Sequence, residues 1–334
     1  MYERVASNVR KTWALIFVFV LLTAAIGWVF GYFTGVGAWA VPVAVGVSIA
    51  MSWGAYYSSD KIALSMSRAK PADRVRDREL VNHVESMAIA AGLPAPRVYV
   101  IDDLAPNAFA TGRNPEHAAI AVTRGLVAKM NRDELEGVIA HEMAHVQNRD
   151  TLVMTVAVTL VGIIVLLADW MLRAMWWGGG RDRNHGNGLG LPFAIVGLVM
   201  LIFAPLIAQL LQFAISRQRE YLADADAVLM TRYPQGLIGA LEKLQEDRTV
   251  VRTASKATAH LWIESPIARA KSEGASKGGA WLNRMFDTHP PLESRIAALK
   301  DNALGYAEDV LPPQAPGASE PPPAPDYYAT GPGT

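Results

Sequence analysis

The chain has 334 residues, 51 % of them hydrophobic, no cysteine, and a formal net charge of zero. The charge balance argues against a nucleic-acid partner, and the missing cysteine excludes disulfides and thiolate metal sites. The length admits two ordinary domains, or one soluble domain with a membrane part.

The apolar residues are unevenly spread. No charged residue occurs from Thr12 to Ser59, and none from Gly186 to Ser216. A helical span takes about 20 apolar residues, so the first run holds two spans. "GYFTGVG" (31–37) is the turn between them, and Pro42 falls near the start of the second, where its missing N–H does least harm. A signal peptide has a shorter apolar core, and a buried core helix seldom stays uncharged for so long. A second pair is predicted at 151–177 and about 191–215, with Trp170, Trp176 and Trp177 clustered where the third helix leaves the bilayer. Arg4, Arg10 and Lys11 precede the first span, and Lys61, Arg68, Lys70, Arg74 and Arg76 follow the second. The positive-inside rule then puts the N-terminus and the segment after residue 60 in the cytoplasm, although Arg173, Arg181 and Arg183 fall on the opposite side.

After the first hairpin, "DRVRDRELVNHVESMAIAAGLP" has helical apolar spacing and stops at Gly92 and Pro94. Three short strand-like segments follow, "RVYVID", "NAFATG" and "AAIAVT", with Asn114-Pro115 turning between the last two. Thr123 caps a short helix to about Lys129, and Asn131 with Glu134 is a capping-box pattern that opens the next. Past the second hydrophobic pair, 217–247 reads as two helices broken by "RYPQG", and a last helix follows Pro291. Residues 250–288 favour no one element, and from Leu311 the Pro-, Gly- and Ala-rich chain reads as a disordered tail. The resulting division is 1–59, a transmembrane hairpin; 60–150, a cytoplasmic catalytic region; 151–216, a second hairpin; 217–310, a second catalytic segment; and 311–334, the tail.

The helix opened at Asn131 carries "VIAHEMAHVQNRD". Residues four apart share a helical face, so His141 and His145 can present imidazoles to one ion, with Glu142 about a third of a turn away. That is the H-E-x-x-H arrangement of two zinc ligands and a carboxylate placed to deprotonate water. By chance the motif arises in on the order of one chain in a hundred of this length. A catalytic zinc takes three protein ligands. A third His six residues beyond the second is excluded, because Thr151 stands there and Asn148 occupies the place of the usual Gly. The other option is a carboxylate from a second helix. "SRQREYLADADA" offers Glu220 as ligand, with Asp224 at i+4 to accept the free N–H of a ligating His. Taken alone, this stretch reads as a solvated charged helix start; beside the two histidines it reads as a ligand source.

These segments, with "NAFATG" and "THPPLESRI" (288–296), resemble the HtpX-type membrane zinc metalloproteases, relatives of the CAAX prenyl proteases. The resemblance runs from the first hairpin to about residue 300. It implies an α+β, mainly helical integral membrane protein. Four transmembrane helices would carry a cytoplasmic gluzincin-like domain of small β-sheet plus H-E-x-x-H helix. It implies one zinc per chain held by His141, His145 and Glu220, Glu142 as general base, and Asp224 supporting a ligand histidine. The expected activity is endopeptidase cleavage of misfolded or damaged membrane proteins. The expected location is a bacterial inner membrane, with the active site and both termini cytoplasmic.

His289 and Arg295, six apart in "THPPLESRI", are candidate oxyanion donors, against a helix cap and a surface salt bridge as the plainer alternative. Asn107, Ala108, Phe109, Ala110 and Thr111 are the candidate edge strand on which a substrate peptide pairs, against an ordinary sheet strand. His83, His117, His185 and His260 match no ligand spacing. Two other functions compete: a prenyl-protein protease, whose family has more spans, and a non-catalytic membrane scaffold, which has no need of Glu142. A channel is disfavoured by spans almost free of charge.

Overall fold

Two long apolar helices open the computed structural model, which describes residues 2–157, 159–160, 162–163, 217–249, 251, 261–263 and 290–310. They are α1, Tyr2–Thr34, and α2, Ala40–Met66, joined through a 3₁₀ turn at Gly37–Trp39. Both are long and apolar enough to cross a membrane, over Arg4–Tyr32 and Gly37–Met66. Trp13, Phe17, Leu21, Val43, Val47 and Trp53 are exposed on them, an apolar outer surface that suits lipid better than water. The second helix runs past the expected boundary at residue 59, because nothing in "SSDKIALSM" stops a helix. Its Asp60 is buried and accepts a 2.6 Å hydrogen bond from Arg97 Nη2.

Of the expected second hairpin, residues 150–157 are helical and buried, and the remainder falls largely outside the described residues. The tail from Leu311 and nearly all of 250–288 fall outside them too.

Four strands form one mixed sheet in the order β1-β2-β4-β3, with β1 Lys70–Pro71, β2 Arg97–Ile101, β3 Ala108–Thr111 and β4 Ala119–Thr123. β2 and β4 run parallel, Val98 opposite Ile120 and Val100 opposite Val122, while β3 pairs antiparallel with β4. β3 is therefore an edge. The three longer strands match the sequence reading; the two-residue β1 has no hydrophobic alternation that would announce it.

The helices begin and end where their capping residues dictate. α3, Arg78–Ala91, ends on Gly92 at φ +65°, the left-handed conformation that glycine adopts without penalty. Thr123 accepts from Leu126 N–H to open α4, Arg124–Lys129. Asn131 and Glu134 close both halves of the capping box on α5, Arg132–Gln147. α6, Arg217–Thr231, and α7, Pro234–Glu246, flank the expected break, and α8, Leu292–Val310, follows Pro291.

α5 is the central helix, with all residues from Gly137 to Val146 buried. One core cluster joins Val84 of α3, Ile120 and Val122 of β4, Val138 and Ile139 of α5 and Leu241 of α7. A second joins Leu15 and Leu64 of the hairpin to Ile101, Phe109, Val153 and Trp262, which fixes the membrane helices against the sheet. α5 and α7 touch through glycines. A Cβ on Gly137 would come within 2.7 Å of Leu237 N, and one on Gly236 within 2.4 Å of Asp133 O. Their absence lets the two backbones approach, and Gly137 lies four residues before His141.

Candidate metal centre

His141 and His145 project from one face of α5 and bring their Nε2 atoms to 3.2 Å of each other. α6 lies against this face and supplies Glu220, whose Oε2 is 3.7 Å from His141 Nε2 and whose Oε1 is 3.6 Å from His145 Nε2. Around a tetrahedral zinc with bonds of about 2.0–2.1 Å, neighbouring donors stand about 3.4 Å apart. One group of His, Asp and Glu among the described residues has such spacing, and it is these three, all buried.

The outer ring nitrogens are held as well. His141 Nδ1 is 2.9 Å from Asp224 Oδ1, and His145 Nδ1 is 3.1 Å from Asp150 Oδ2. A carboxylate at Nδ1 takes the N–H and turns the Nε2 lone pair inward, so both tautomers suit ligation. The donor set therefore fits a zinc-type ion.

Asp150 reaches back to His145 because the chain turns sharply between them. Asn148 N–H closes on Ala144 O, Arg149 takes φ +60°, and the next helix starts at Asp150. Asn148 Nδ2 then donates to Asp226 Oδ2 at 2.8 Å, and Arg219 Nη1 to Asp150 Oδ1 at 3.1 Å. In the sequence Asn148 and Asp150 stand only as the continuation of the H-E-x-x-H stretch. An acidic residue five beyond the second histidine was the available signal for a ligand-orienting role.

Burial sets the ionisation of the site. It pushes the Glu142 carboxyl up to about 7, against nearby positive charge and a hydrogen bond from Ala110 N–H. Burial, with Arg295 beside it, lowers His141 to about 4. For His145, burial opposes the charge, but the hydrogen bond to Asp150 and the charge of Glu220 outweigh it and raise the group to about 9. Asp224 is also buried, yet Arg295 holds it down to about 2.

Arg295 is fully buried, not on the surface. Its Nε and Nη2 grip the two oxygens of Asp224 at 2.8 and 2.6 Å, and Nη1 lies 3.5 Å from Glu220 Oε2. His289 lies outside the described residues. His83 pairs with Glu136 and His117 with Asn114, both away from the centre; His185 and His260 lie outside the described residues.

Asn107 and the four β3 residues, Ala108, Phe109, Ala110 and Thr111, are buried. Ala110 N–H meets Glu142, while Ala108 O accepts from Ile263 N–H at 2.9 Å. Leu261, Trp262 and Ile263 thus lie along the edge of β3, with Trp262 edge-on to Phe109 at 4.9 Å. The cavity that they share with His141, Glu142 and His145 measures about 10 Å³, space for about one water.

The profile of Peptidase family M48 matches residues 74–303. A "Protease HtpX homolog" of Caldanaerobacter subterraneus subsp. tengcongensis is 45 % identical over 302 residues, covering 90 % of this chain and 97 % of the relative. One from Streptococcus pneumoniae is 44 % identical over 308 residues, covering 90 % and 99 %. The crystal structure of S. mikatae Ste24p aligns over 90 % of this chain and 67 % of its own, with a TM-score of 0.46 and 20 % identity.

Proposed function

Since the chain belongs to peptidase family M48 and is a membrane metalloendopeptidase, we propose that it is a zinc enzyme, one ion per chain, cleaving misfolded or damaged membrane proteins at the cytoplasmic face of a bacterial inner membrane. The observation that carries the zinc assignment is the convergence of His141 Nε2, His145 Nε2 and the Glu220 carboxylate, with each histidine Nδ1 tied to an acid.

A bound zinc supplies Lewis acidity, which polarises the scissile carbonyl and acidifies water. The protein's own groups do the rest. Glu142, poised near neutral pH by burial, takes a proton from the attacking water and hands it to the leaving amine. Asp150 and Asp224 keep the two histidines in the ligating tautomer. Arg295 is a positioning residue: its fork is taken up by Asp224, and its charge balances the buried carboxylates. The substrate pairs with the edge of β3. Ile263 N–H occupies Ala108 O and the cavity is water-sized, so a peptide enters only when Leu261–Ile263 withdraw.

The test is Glu142→Gln in the full detergent-solubilised chain. Zinc content should stay at one per chain while casein cleavage falls by about 10²–10⁴-fold. Cleavage at the original rate with zinc retained would falsify the mechanism.

A further inference from the structure

Apart from Tyr2, the Trp and Tyr residues of α1, the 3₁₀ turn and α2 gather in two groups. In the first, Trp13 stacks on Tyr56 at 6.2 Å between ring centres, and Tyr57 meets both Tyr56 and Trp53 at 5.1 Å. In the second are Trp28, Tyr32 and Trp39, all exposed. At about 1.5 Å per residue, Trp13 and Tyr32 stand about 28 Å apart along α1, and Trp39 and Tyr57 about 27 Å apart along α2. A bilayer's hydrocarbon core is about 30 Å thick, and Trp and Tyr collect at its two faces. The group of Trp13, Trp53, Tyr56 and Tyr57 therefore marks the membrane face from which the peptidase domain rises.

The domain is seated close to that face. Arg113, just past β3, lays its guanidinium over the Tyr57 ring, 5.1 Å from the centroid. Ala110, whose N–H meets Glu142, precedes Arg113 by three residues, at most about 11 Å of extended chain. α1 gives a similar depth by a separate route. Asn8 lies about 7–8 Å along the helix from Trp13, on the domain side. Its Nδ2 donates to Asp150 Oδ1 at 2.7 Å, and the other oxygen of that carboxylate is 3.1 Å from His145 Nδ1. Directly past Asp150 the chain enters the apolar layer, where Leu152 and Val156 pack with Phe19, Leu22 and Ala55. The metal centre and the edge of β3 thus stand on the order of 10 Å from the aromatic group that marks the bilayer.

So short a rise selects which bonds of a membrane-anchored chain meet the site. A strand advances about 3.3 Å per residue, so about three residues bridge 10 Å. We propose that the enzyme cuts membrane-anchored substrates beside the bilayer, with the scissile bond about three to five residues beyond the apolar end of a transmembrane segment. The cut is then placed by distance from the membrane, as suits a β3 edge that pairs with main chain and reads little sequence. This rests on the peptidase reading above and names the class of bond which that reading leaves open.

The experiment reconstitutes the zinc-loaded full chain in phosphatidylcholine vesicles with a model substrate, a leucine-alanine span of about 20 residues followed by an unstructured tail. Mass spectrometry of the released fragments maps each cut. Cuts should peak about three to five residues beyond the span and be about ten-fold rarer near residue 20 of the tail, because the effective concentration of a tethered site falls as about the −3/2 power of tether length. A second tail with the same residues in scrambled order should be cut at the same distances. Detergent-solubilised casein reports peptidase activity in the same preparation. Casein cleaved while the tail cuts are spread evenly, follow the scrambled sequence or are missing overturns the proposal and leaves the peptidase reading standing. If neither casein nor the tail is cut, the peptidase reading fails and the proposal falls with it.

Discussion

Arg295 clasps Asp224 inside the protein, with Nη2 at 2.6 Å from Oδ1 and Nε at 2.8 Å from Oδ2. Asp224 in turn holds His141 Nδ1 at 2.9 Å, so the guanidinium reaches His141 through Asp224, while its Nη1 lies directly 3.5 Å from Glu220 Oε2. Removing one partner of a buried ion pair leaves the other uncompensated, at a cost of about 3–5 kcal/mol. Arg295→Ala should lower the midpoint of thermal unfolding and weaken zinc binding together. Arg295→Lys should rescue little, because an ammonium lacks the fork. Wild-type zinc affinity in the lysine variant would show that charge alone suffices there.

Asp150 is the corresponding support for His145. Asp150→Asn should weaken zinc binding about 10–100-fold, the usual effect of losing a carboxylate behind a ligand histidine. Asp226, which receives Asn148 Nδ2 and contacts neither histidine, is the control. Competition titration against a chromogenic chelator measures both, and equal losses in the two variants would count against a specific role for Asp150.

The raised His145 dictates the pH dependence of zinc uptake. With a metal-free pKa of about 9, this imidazole carries a proton at neutral pH, and zinc must displace it. Binding should therefore release a proton near pH 7, with affinity rising as pH increases and levelling off above about 9. Calorimetry in buffers of different ionisation enthalpy counts the proton. An affinity independent of pH across this window contradicts the expectation.

Gly137 tests whether the α5–α7 contact matters to the site. Gly137→Ala drives a Cβ into the Leu237 backbone and should cost about 1–3 kcal/mol by overpacking, while shifting the helix that carries His141. In Gly46→Ala the added methyl meets open space, and the change should be neutral or stabilise by up to about 1 kcal/mol. Thermal unfolding with and without zinc compares them, and equal midpoints would remove Gly137 from the account.

Much of this was legible along the chain because local rules dominate there. The helix starts at Thr123 and Asn131 were readable from capping chemistry, since each cap bonds within three residues of itself. His141 and His145 were readable because helical periodicity alone sets their common face, with Glu142 about a third of a turn away. Glu220 and Asp224 were readable only jointly with them. β1 was not, because two residues carry no pattern and its pairing with β2 is a long-range event.

By itself, then, the sequence determined which residues could ligate and which stretches were too apolar for water. Those are matters of residue type and short-range spacing. Only the tertiary structure decided that Arg295 is a buried clasp, that Asp150 turns back onto His145, that Leu261–Ile263 lie along β3, and that Asn8 of α1 reaches the metal centre's support. Three of these join groups far apart in the chain, whose partners are set by packing. Asn8 and Asp150 are 142 residues apart, and Arg295 and Asp224 are 71 apart. No local preference encodes such a distance; it arises when α5 is buried from Gly137 to Val146 and its neighbours must satisfy the charges that it carries inward.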